Sequence, residues 1–278
     1  MFLKKKLSDL VIMSDVDGTL LYGGINMPER NIQAARRFVA KGGRFGIATG
    51  RSVNITRQVV ERLPVNFPCV VFNGGGIYDF AREEYIYRNL INDAALGYVK
   101  SLWKAFPDCG AVLVDSENYL DMEDSAITNQ SWWGKKYPDS VFISAKFSEI
   151  GKDTLFKAFF VLSEQRCRQM HDYVTKNKDK FQGVRFVLSE ERMLEMLPED
   201  SSKGNALQKL SEIFDVAQEN IVAIGDYYND LEMIKYAGLG VSIIDSPEDI
   251  KAAANLIVGP CAQGSVAELI EYLEEHYE

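Results

Sequence analysis

Over the first eighty residues, short apolar runs alternate with longer stretches whose apolar positions recur at helical spacing. Residues 10–13 (LVIM) are apolar at every position and too few for a helix, which predicts a strand buried on both faces. A helix is expected to start near Pro28, where proline fits the first helical position, and to stop at Gly42-Gly43. Residues 44–48 predict a second strand, Ser52 can cap a helix running to about residue 62, and residues 69–72 predict a third strand. Strand, helix, strand, helix, strand is the pattern of a parallel sheet with right-handed crossovers.

The last eighty residues repeat this alternation. Ser202 can cap a helix to about Phe214, residues 221–224 predict a strand, and residues 229–236 a helix. Residues 239–243 predict a further strand, and Ser246-Pro247-Glu248-Asp249 reads as a helix start with cap, proline and acidic first turn. Residues 266–273 close the chain with an amphipathic helix. The tail is therefore expected to complete the sheet that the head begins. The middle is different: strands are expected at 111–114, 156–162 and 184–188, helices at 93–105 and 164–176, with an irregular aromatic stretch from 119 to 137. It reads as an α+β domain inserted into the first, giving a core of residues 1–82 and 190–278 and an insertion of 83–189.

Composition narrows the classes. Of 278 residues, 46% are hydrophobic and 26% charged, which fits a globular protein and excludes collagen-like and coiled-coil readings. A net charge of −9 argues against a basic face for nucleic acid or anionic lipid, while leaving room for a local cationic pocket. With two histidines, His171 and His276, outside any cluster, neither histidine catalysis nor a His-rich zinc site is expected. Cys69, Cys109, Cys167 and Cys261 are far apart without a CxxC pair, which suits small buried hydrophobes in a reducing compartment. Asp9 and Asp15 break the apolar stretch after Lys4-Lys5-Lys6, no small-residue cleavage site follows, and no run reaches the ~18 apolar residues of a membrane span. The expected location is the cytoplasm.

Four segments with chemical potential fall at ends of expected core strands, where parallel α/β sheets place their ligands. In SDVDGTLL (14–21), Asp15 and Asp17 lie two residues apart, so extended geometry sends both carboxylates to one side, and Gly18 lets the chain turn away. Two such carboxylates repel unless a cation, a proton or donors compensate, and the same letters also fit a plain surface turn. In IATGRS (47–52), Thr49, Gly50 and the amides opening the next helix fit an anion site, or equally a capped strand-to-helix turn. Arg51 there fits either a substrate contact or an exposed helix start. In SSKGNAL (201–207), Lys203 sits in a first helical turn, where the macrodipole disfavours a cation unless an anionic partner offsets it, and the same position equally fits a solvated lysine. In VAIGDYYND (222–230), Asp226, Asn229 and Asp230 suit a hard cation, or in part a helix cap.

In this order the segments resemble the four motifs of the haloacid dehalogenase superfamily of phosphohydrolases: DVDGTLL at 15–21, Thr49-Gly50-Arg51, Lys203, and Gly225-Asp226 with Asn229-Asp230. The insertion resembles the type IIB cap of the Cof-like subfamily, and NGGGIYD (73–79) resembles the loop with Asn73 that precedes such a cap. The resemblance implies a Rossmann-like α/β core with an inserted α+β cap. It also implies Asp15 as nucleophile and Asp17 as general acid/base, with Mg²⁺ on Asp15, Asp226 and the Asp17 backbone carbonyl. Phosphoryl oxygens would be bound by Thr49, Lys203, Asn229 and the amides of Val16 and Gly50. Arg51, Asn73 and Asp230 would stand close by. The implied activity is a Mg²⁺-dependent phosphatase of a small phosphorylated metabolite, a sugar phosphate above all, in a monomer or small homo-oligomer. A phosphomutase and an inactive phosphate-binding regulator are the alternatives. Two segments depart from the family pattern: Ile243-Ile244-Asp245 replaces an MGN-type turn, and GPCAQGSVAELI (259–270) replaces an asparagine-rich acidic loop. In the insertion, Trp132-Trp133 with Tyr119 and Tyr137 fits a stacking wall for a sugar ring or simply the core of that domain.

Overall fold

A computed structural model describes residues 6–116, 118–122, 142–150 and 154–278. The chain divides into two compact units, the first made of Met1–Arg51, Thr56–Tyr87 and Ser202–Glu278, the second of Ser52–Ile55 and Arg88–Ser201.

The first unit is built on β1 (Val11–Ser14), β2 (Arg44–Ile47), β3 (Cys69–Val71), β4 (Gly76–Asp79), β5 (Glu84–Arg88), β12 (Ile221–Gly225), β13 (Leu239–Ile243) and β14 (Leu256–Val258). The intervening strand numbers belong to the second unit. Five of these strands form a parallel sheet in the order β14-β13-β12-β1-β2, so head and tail share one sheet. Alternation along β1 and β12 explains why these strands read as unbroken apolar runs. Leu10, Ile12, Val222 and Ile224 pack against helices Glu29–Ala40 and Ser265–His276. Val11, Met13, Ile221 and Ala223 pack against helices Lys203–Ile213 and Leu231–Tyr236 on the opposite side. The sheet extends through a parallel bridge from Ala48 to Val70, and β3, β4 and β5 form a small separate sheet. Because the chain leaves β1 for β2 on one side and meets the late strand β12 on the other, the order reverses between β1 and β12, the position where open α/β sheets hold ligands.

The second unit contributes β6 (Gly110–Val114), β7 (Tyr119–Met122), β8 (Phe142–Ala145), β9 (Lys157–Val161), β10 (Val184–Glu190) and β11 (Met193–Pro198). They form one six-stranded sheet, β10-β11-β9-β6-β7-β8, antiparallel except for the pair β7 and β8. Helices Ala95–Ala105 and Glu164–Lys176 cover its apolar side. Apart from the short segment Ser52–Ile55, which falls in the second unit, the chain passes between units at Tyr87/Arg88 and Ser201/Ser202, whereas the sequence reading places the crossings at 82/83 and 189/190. The reason is pairing: Met193–Pro198 is a hairpin partner of β10 and a neighbour of β9, so it stays with the second sheet. Trp132, Trp133 and Tyr137 of the expected stacking wall lie outside the described residues; Tyr119 is buried, its ring edge-on to Phe159 at 6.2 Å. The four cysteines are all buried and without disulfides. Among the described residues no helix is long and apolar enough to cross a membrane.

Candidate active site

The site grows from adjacent carboxyl ends of β1 and β12, in the first unit. Ser14 lies opposite Ile224 in the parallel register, and the Asp15 amide continues the ladder by donating to the Ile224 carbonyl at 2.9 Å. Asp15 thus emerges beside Asp226, which follows β12 directly. Gly18 has φ +91°, and a Cβ there would run into the Asp226 carboxylate, so this turn needs a residue without a side chain. Thr19 Oγ1 donates to Asp226 Oδ1 at 2.9 Å and ties the two strand ends together.

The segment GPCAQGS, which departs from the family pattern, holds this turn from behind. Cys261 Sγ donates to the Thr19 carbonyl at 3.0 Å, and Ser265 Oγ donates to the same oxygen at 2.9 Å. Neither Thr19 nor these two residues was assigned a role from sequence. A hydroxyl four residues after a strand-end aspartate carries little signal until the partner strand is known.

Lys203 opens helix Lys203–Ile213 and is fully buried. Its Nζ donates to Asp15 Oδ1 and to Asp230 Oδ1. Burial works against its charge, but Asp15 and Asp230 outweigh that effect and raise its pKa above the ordinary lysine range. The helix dipole disfavours a cation here by about 0.3–1 kcal/mol, a small amount beside two buried ion pairs. The misplaced charge has the anionic partners that its position called for. Ser202 caps the helix as expected, accepting from the Asn205 amide at 3.0 Å.

Asp230 has both oxygens engaged: Oδ2 accepts from the amides of Asp226 at 2.9 Å and Tyr227 at 3.1 Å, while Oδ1 takes Lys203. It fixes the loop after β12 and supplies countercharge, the cap-like part that one of its pair was expected to play. Asn229 donates through Nδ2 to Asn73 Oδ1 at 3.1 Å. Asn73 and the preceding Phe72 are both left-handed, φ +53° and +54°, an arrangement that costs on the order of 1–3 kcal/mol per residue. The strain is held by the Asn73 amide donating to the Thr49 carbonyl at 2.9 Å and the Phe72 amide to the Arg51 carbonyl at 3.0 Å. These bonds dock the β3 loop on the β2 loop and place Gly50 against Asn73.

Asp17 lies slightly apart. The Arg51 guanidinium grips both its oxygens, Nε to Oδ2 and Nη2 to Oδ1, each at 2.8 Å, and also donates to the Gly24 carbonyl at 3.1 Å. Arg51 is therefore neither an exposed helix start nor open to solvent. Thr49, buried, accepts through Oγ1 from the Arg51 amide at 3.2 Å.

Charge is unbalanced at the centre. Oxygens of Asp15, Asp226 and Asp230 lie within 4.8 Å of one another, with Lys203 as the cation bonded among them. Burial, reinforced by Asp230, pushes the Asp15 carboxyl up to about 7 despite Lys203. Asp226 is likewise raised well above the carboxylate range by burial and then by Asp15 and Asp230. Asp15 Oδ2 is buried with no hydrogen-bond partner among the described residues. Three carboxylates, one ammonium and an orphaned oxygen fit a hard divalent cation with oxygen ligands. The metal-capable carboxylates are Asp15, Asp226 and Asp230; the Asp17 side chain is taken by Arg51, leaving its backbone carbonyl as the contribution the sequence reading named.

Comparison with known proteins gives the family of the chain. A family model for haloacid dehalogenase-like hydrolase matches residues 12–270. The 5-amino-6-(5-phospho-D-ribitylamino)uracil phosphatase YcsE of Bacillus subtilis is 25% identical over 262 residues, covering 94% of each chain. The pyridoxal phosphate phosphatase YbhA of Escherichia coli is 24% identical over 264 residues, covering 94% of this chain and 97% of that one. The structure of a haloacid dehalogenase-like hydrolase from Bacteroides thetaiotaomicron superposes with a TM-score of 0.81 at 24% identity, covering 95% and 99% of the two chains. That of the subclass IIB sugar phosphatase BT4131 has a TM-score of 0.81 at 18% identity, with the same coverage. The chain belongs to the haloacid dehalogenase-like hydrolases. Within them it is Cof-like and is an enzyme of the phosphatase class.

Proposed function

We propose that this phosphatase hydrolyses a small phosphorylated metabolite, with a sugar phosphate as the expected substrate, through an aspartyl-phosphate on Asp15 and with Mg²⁺ as cofactor. The observation that carries the reading is the buried, unpartnered Asp15 Oδ2 within a three-carboxylate cluster that Lys203 only partly neutralises. Asp15 and Asp226 carboxylates with the Asp17 carbonyl would hold the ion, and Asp230, already engaged, would orient the loop and Lys203. When bound, the ion offsets the carboxylate charge and polarises phosphoryl oxygens.

In the first step the Asp15 oxygen forms a bond to phosphorus as the ester P–O bond breaks, and the leaving alkoxide takes a proton from Asp17. In the second, water attacks the phosphoaspartate, Asp17 takes the water proton, and Asp15 is regenerated with release of inorganic phosphate. A carboxylate nucleophile needs no activating base, in keeping with a site built without histidine. Thr49, Lys203, Asn229 and the amides of Val16 and Gly50 would bind the phosphoryl oxygens, and Asn73 would position Asn229. Since both Asp17 oxygens rest on Arg51, the fork opens before Asp17 carries a proton. Phosphoryl transfer depends chiefly on positioning and charge stabilisation, which this set of donors and carboxylates can supply.

The test is phosphate release from a panel of sugar phosphates, nucleotides and vitamin phosphates with Mg²⁺ or with a chelator. Inorganic phosphate should appear with Mg²⁺ and fall by about 100-fold or more on chelation. Pure, folded enzyme inactive on the whole panel would sink the reading, and an isomeric sugar phosphate as product would turn it into a mutase.

The raised carboxyls predict a pH effect on the metal-free protein. A carboxyl whose folded pKa exceeds its unfolded value binds more protons when folded, so its contribution to stability declines as pH rises from about 4 through about 7. Metal binding should offset that decline. The thermal midpoint difference between Mg²⁺ and chelator should be small near pH 5 and grow toward about pH 8. A difference independent of pH would show that the cluster does not hold the ion.

A further inference from the structure

Two side chains at the entry to the last helix reach the turn that follows β1. Cys261 Sγ and Ser265 Oγ both donate to the Thr19 carbonyl, at 3.0 and 2.9 Å. A carbonyl oxygen has two lone pairs, so this one is filled by a thiol and a hydroxyl from the far end of the chain. All three residues are buried, Cys261 6% exposed and Thr19 and Ser265 0%. Burial, then the nearby carboxylates led by Asp226, push the Cys261 thiol up to about 12, so it keeps its proton and stays a donor.

The anchor behind this clamp is rigid. Ser265 is the first residue of helix Ser265–His276, whose Val266, Ala267, Leu269 and Ile270 belong to the apolar core on one side of the parallel sheet. Asn31 Oδ1 accepts from the Ala267 amide at 2.9 Å and pins the helix start.

Thr19 passes the constraint forward. Among the described residues its hydroxyl is the one hydrogen-bond donor to the Asp226 carboxylate, at 2.9 Å to Oδ1. Asp226 Oδ2 lies against Gly18, where a Cβ would collide with it. A carboxylate with a single donor is only as fixed as that donor, and Thr19 follows Gly18, a residue with wide backbone freedom. Two donors on the Thr19 carbonyl remove that freedom at the position from which Asp226 is aimed. Groups that orient a metal ligand from behind commonly govern affinity for the ion.

We propose, on the Mg²⁺ reading above, that Cys261 and Ser265 are positioning residues that set the Asp226 carboxylate for the cation through Thr19. They touch neither substrate nor ion. Their work is to hold one hydroxyl in place.

The test measures Mg²⁺ affinity, by calorimetric titration and by the thermal midpoint against Mg²⁺ concentration, together with the midpoint in chelator. The proteins are wild type, Cys261→Ala/Ser265→Ala, Cys261→Ser, Thr19→Val, and Thr19→Val combined with the double change. Mg²⁺ affinity should fall by about tenfold or more in Cys261→Ala/Ser265→Ala and in Thr19→Val, while Cys261→Ser, which keeps a donor, stays within about threefold of wild type. With the Thr19 hydroxyl already gone, adding the double change should weaken binding by less than about a further threefold. Wild-type affinity in the double variant overturns the inference, as does a lowered midpoint in chelator with affinity unchanged, which would make the clamp purely structural. A second full loss in the Thr19→Val background also overturns it, because the effect would then bypass the hydroxyl. Should the double variant fail to fold, Ser265→Ala alone is expected to lose about threefold or more, and unchanged affinity there is equally fatal. A wild-type protein that binds no Mg²⁺ removes the metal reading along with the inference, whereas wild-type binding matched by every variant removes the inference alone.

Discussion

Asp15→Asn is expected to lower turnover by about four orders of magnitude or more while leaving the protein folded and at least as heat-stable as wild type. Loss of activity follows from chemistry: an amide oxygen is a feeble nucleophile toward phosphorus, and loss of a covalent nucleophile costs on this scale or more. Retention of stability follows from the local electrostatics. Asp15 is buried near Asp230 and Asp17, and its charged form is disfavoured strongly enough to raise its carboxyl to about 7. A neutral isostere removes that repulsion, and Lys203 keeps Asp230 as a partner. Steady-state phosphate release and a thermal melt in chelator measure the two halves separately. Residual turnover near wild type would dismiss Asp15 as the nucleophile. A collapse of the melting temperature with loss of activity would mean that Asp15 is needed for folding, contrary to this electrostatic account.

Lys203→Met should act in the opposite sense on stability. Lys203 is fully buried and pairs with Asp15 and Asp230, so its removal strands buried carboxylates. Breaking such a pair from one side costs about 3–5 kcal/mol, which for a chain of this size lowers the melting temperature by about 6 °C or more. The carboxyls can recover part of that loss by taking up protons, so the deficit should be larger at about pH 8 than at pH 6. Activity should drop by about 100-fold or more, because the variant loses a preorganised cation beside the phosphoryl group. Melts across pH and kinetics in Mg²⁺ give both readings. A variant as stable as wild type at pH 8 would show that the ammonium is not what compensates the cluster.

Neighbouring elements differ in how far their roles were legible in the sequence. The β1, β12 and β13 runs are apolar at nearly every position because helices cover both sides of that sheet, and this pattern identifies a parallel core without knowledge of partners. Lys203 was readable as an anomaly, a cation at the positive end of a helix, though its two carboxylate partners were not. Strand β11 was missed because its alternation is masked by burial on both faces: Met193, Leu194, Glu195, Met196 and Leu197 are all buried. With no strand expected there, it fell to the core domain of residues 190–278. The small strand β4 lies within the segment read only as the loop that precedes a cap, and β5 within the stretch assigned to the insertion.

Sequence alone determined the alternating α/β architecture, the interruption by a second kind of domain and the order of the segments bearing Asp15, Thr49, Lys203 and Asp226, since each depends on local periodicity and local turn chemistry. Tertiary structure decided the rest. Which carboxylates crowd together, that Arg51 grips Asp17, that Asp230 has both oxygens engaged, and that a cysteine and a serine from the tail clamp Thr19 are consequences of strand order. Pairing of β1 with β12 joins residues some two hundred positions apart. Electrostatic coupling falls with distance in space and is indifferent to distance along the chain, so no periodicity in the sequence can encode it.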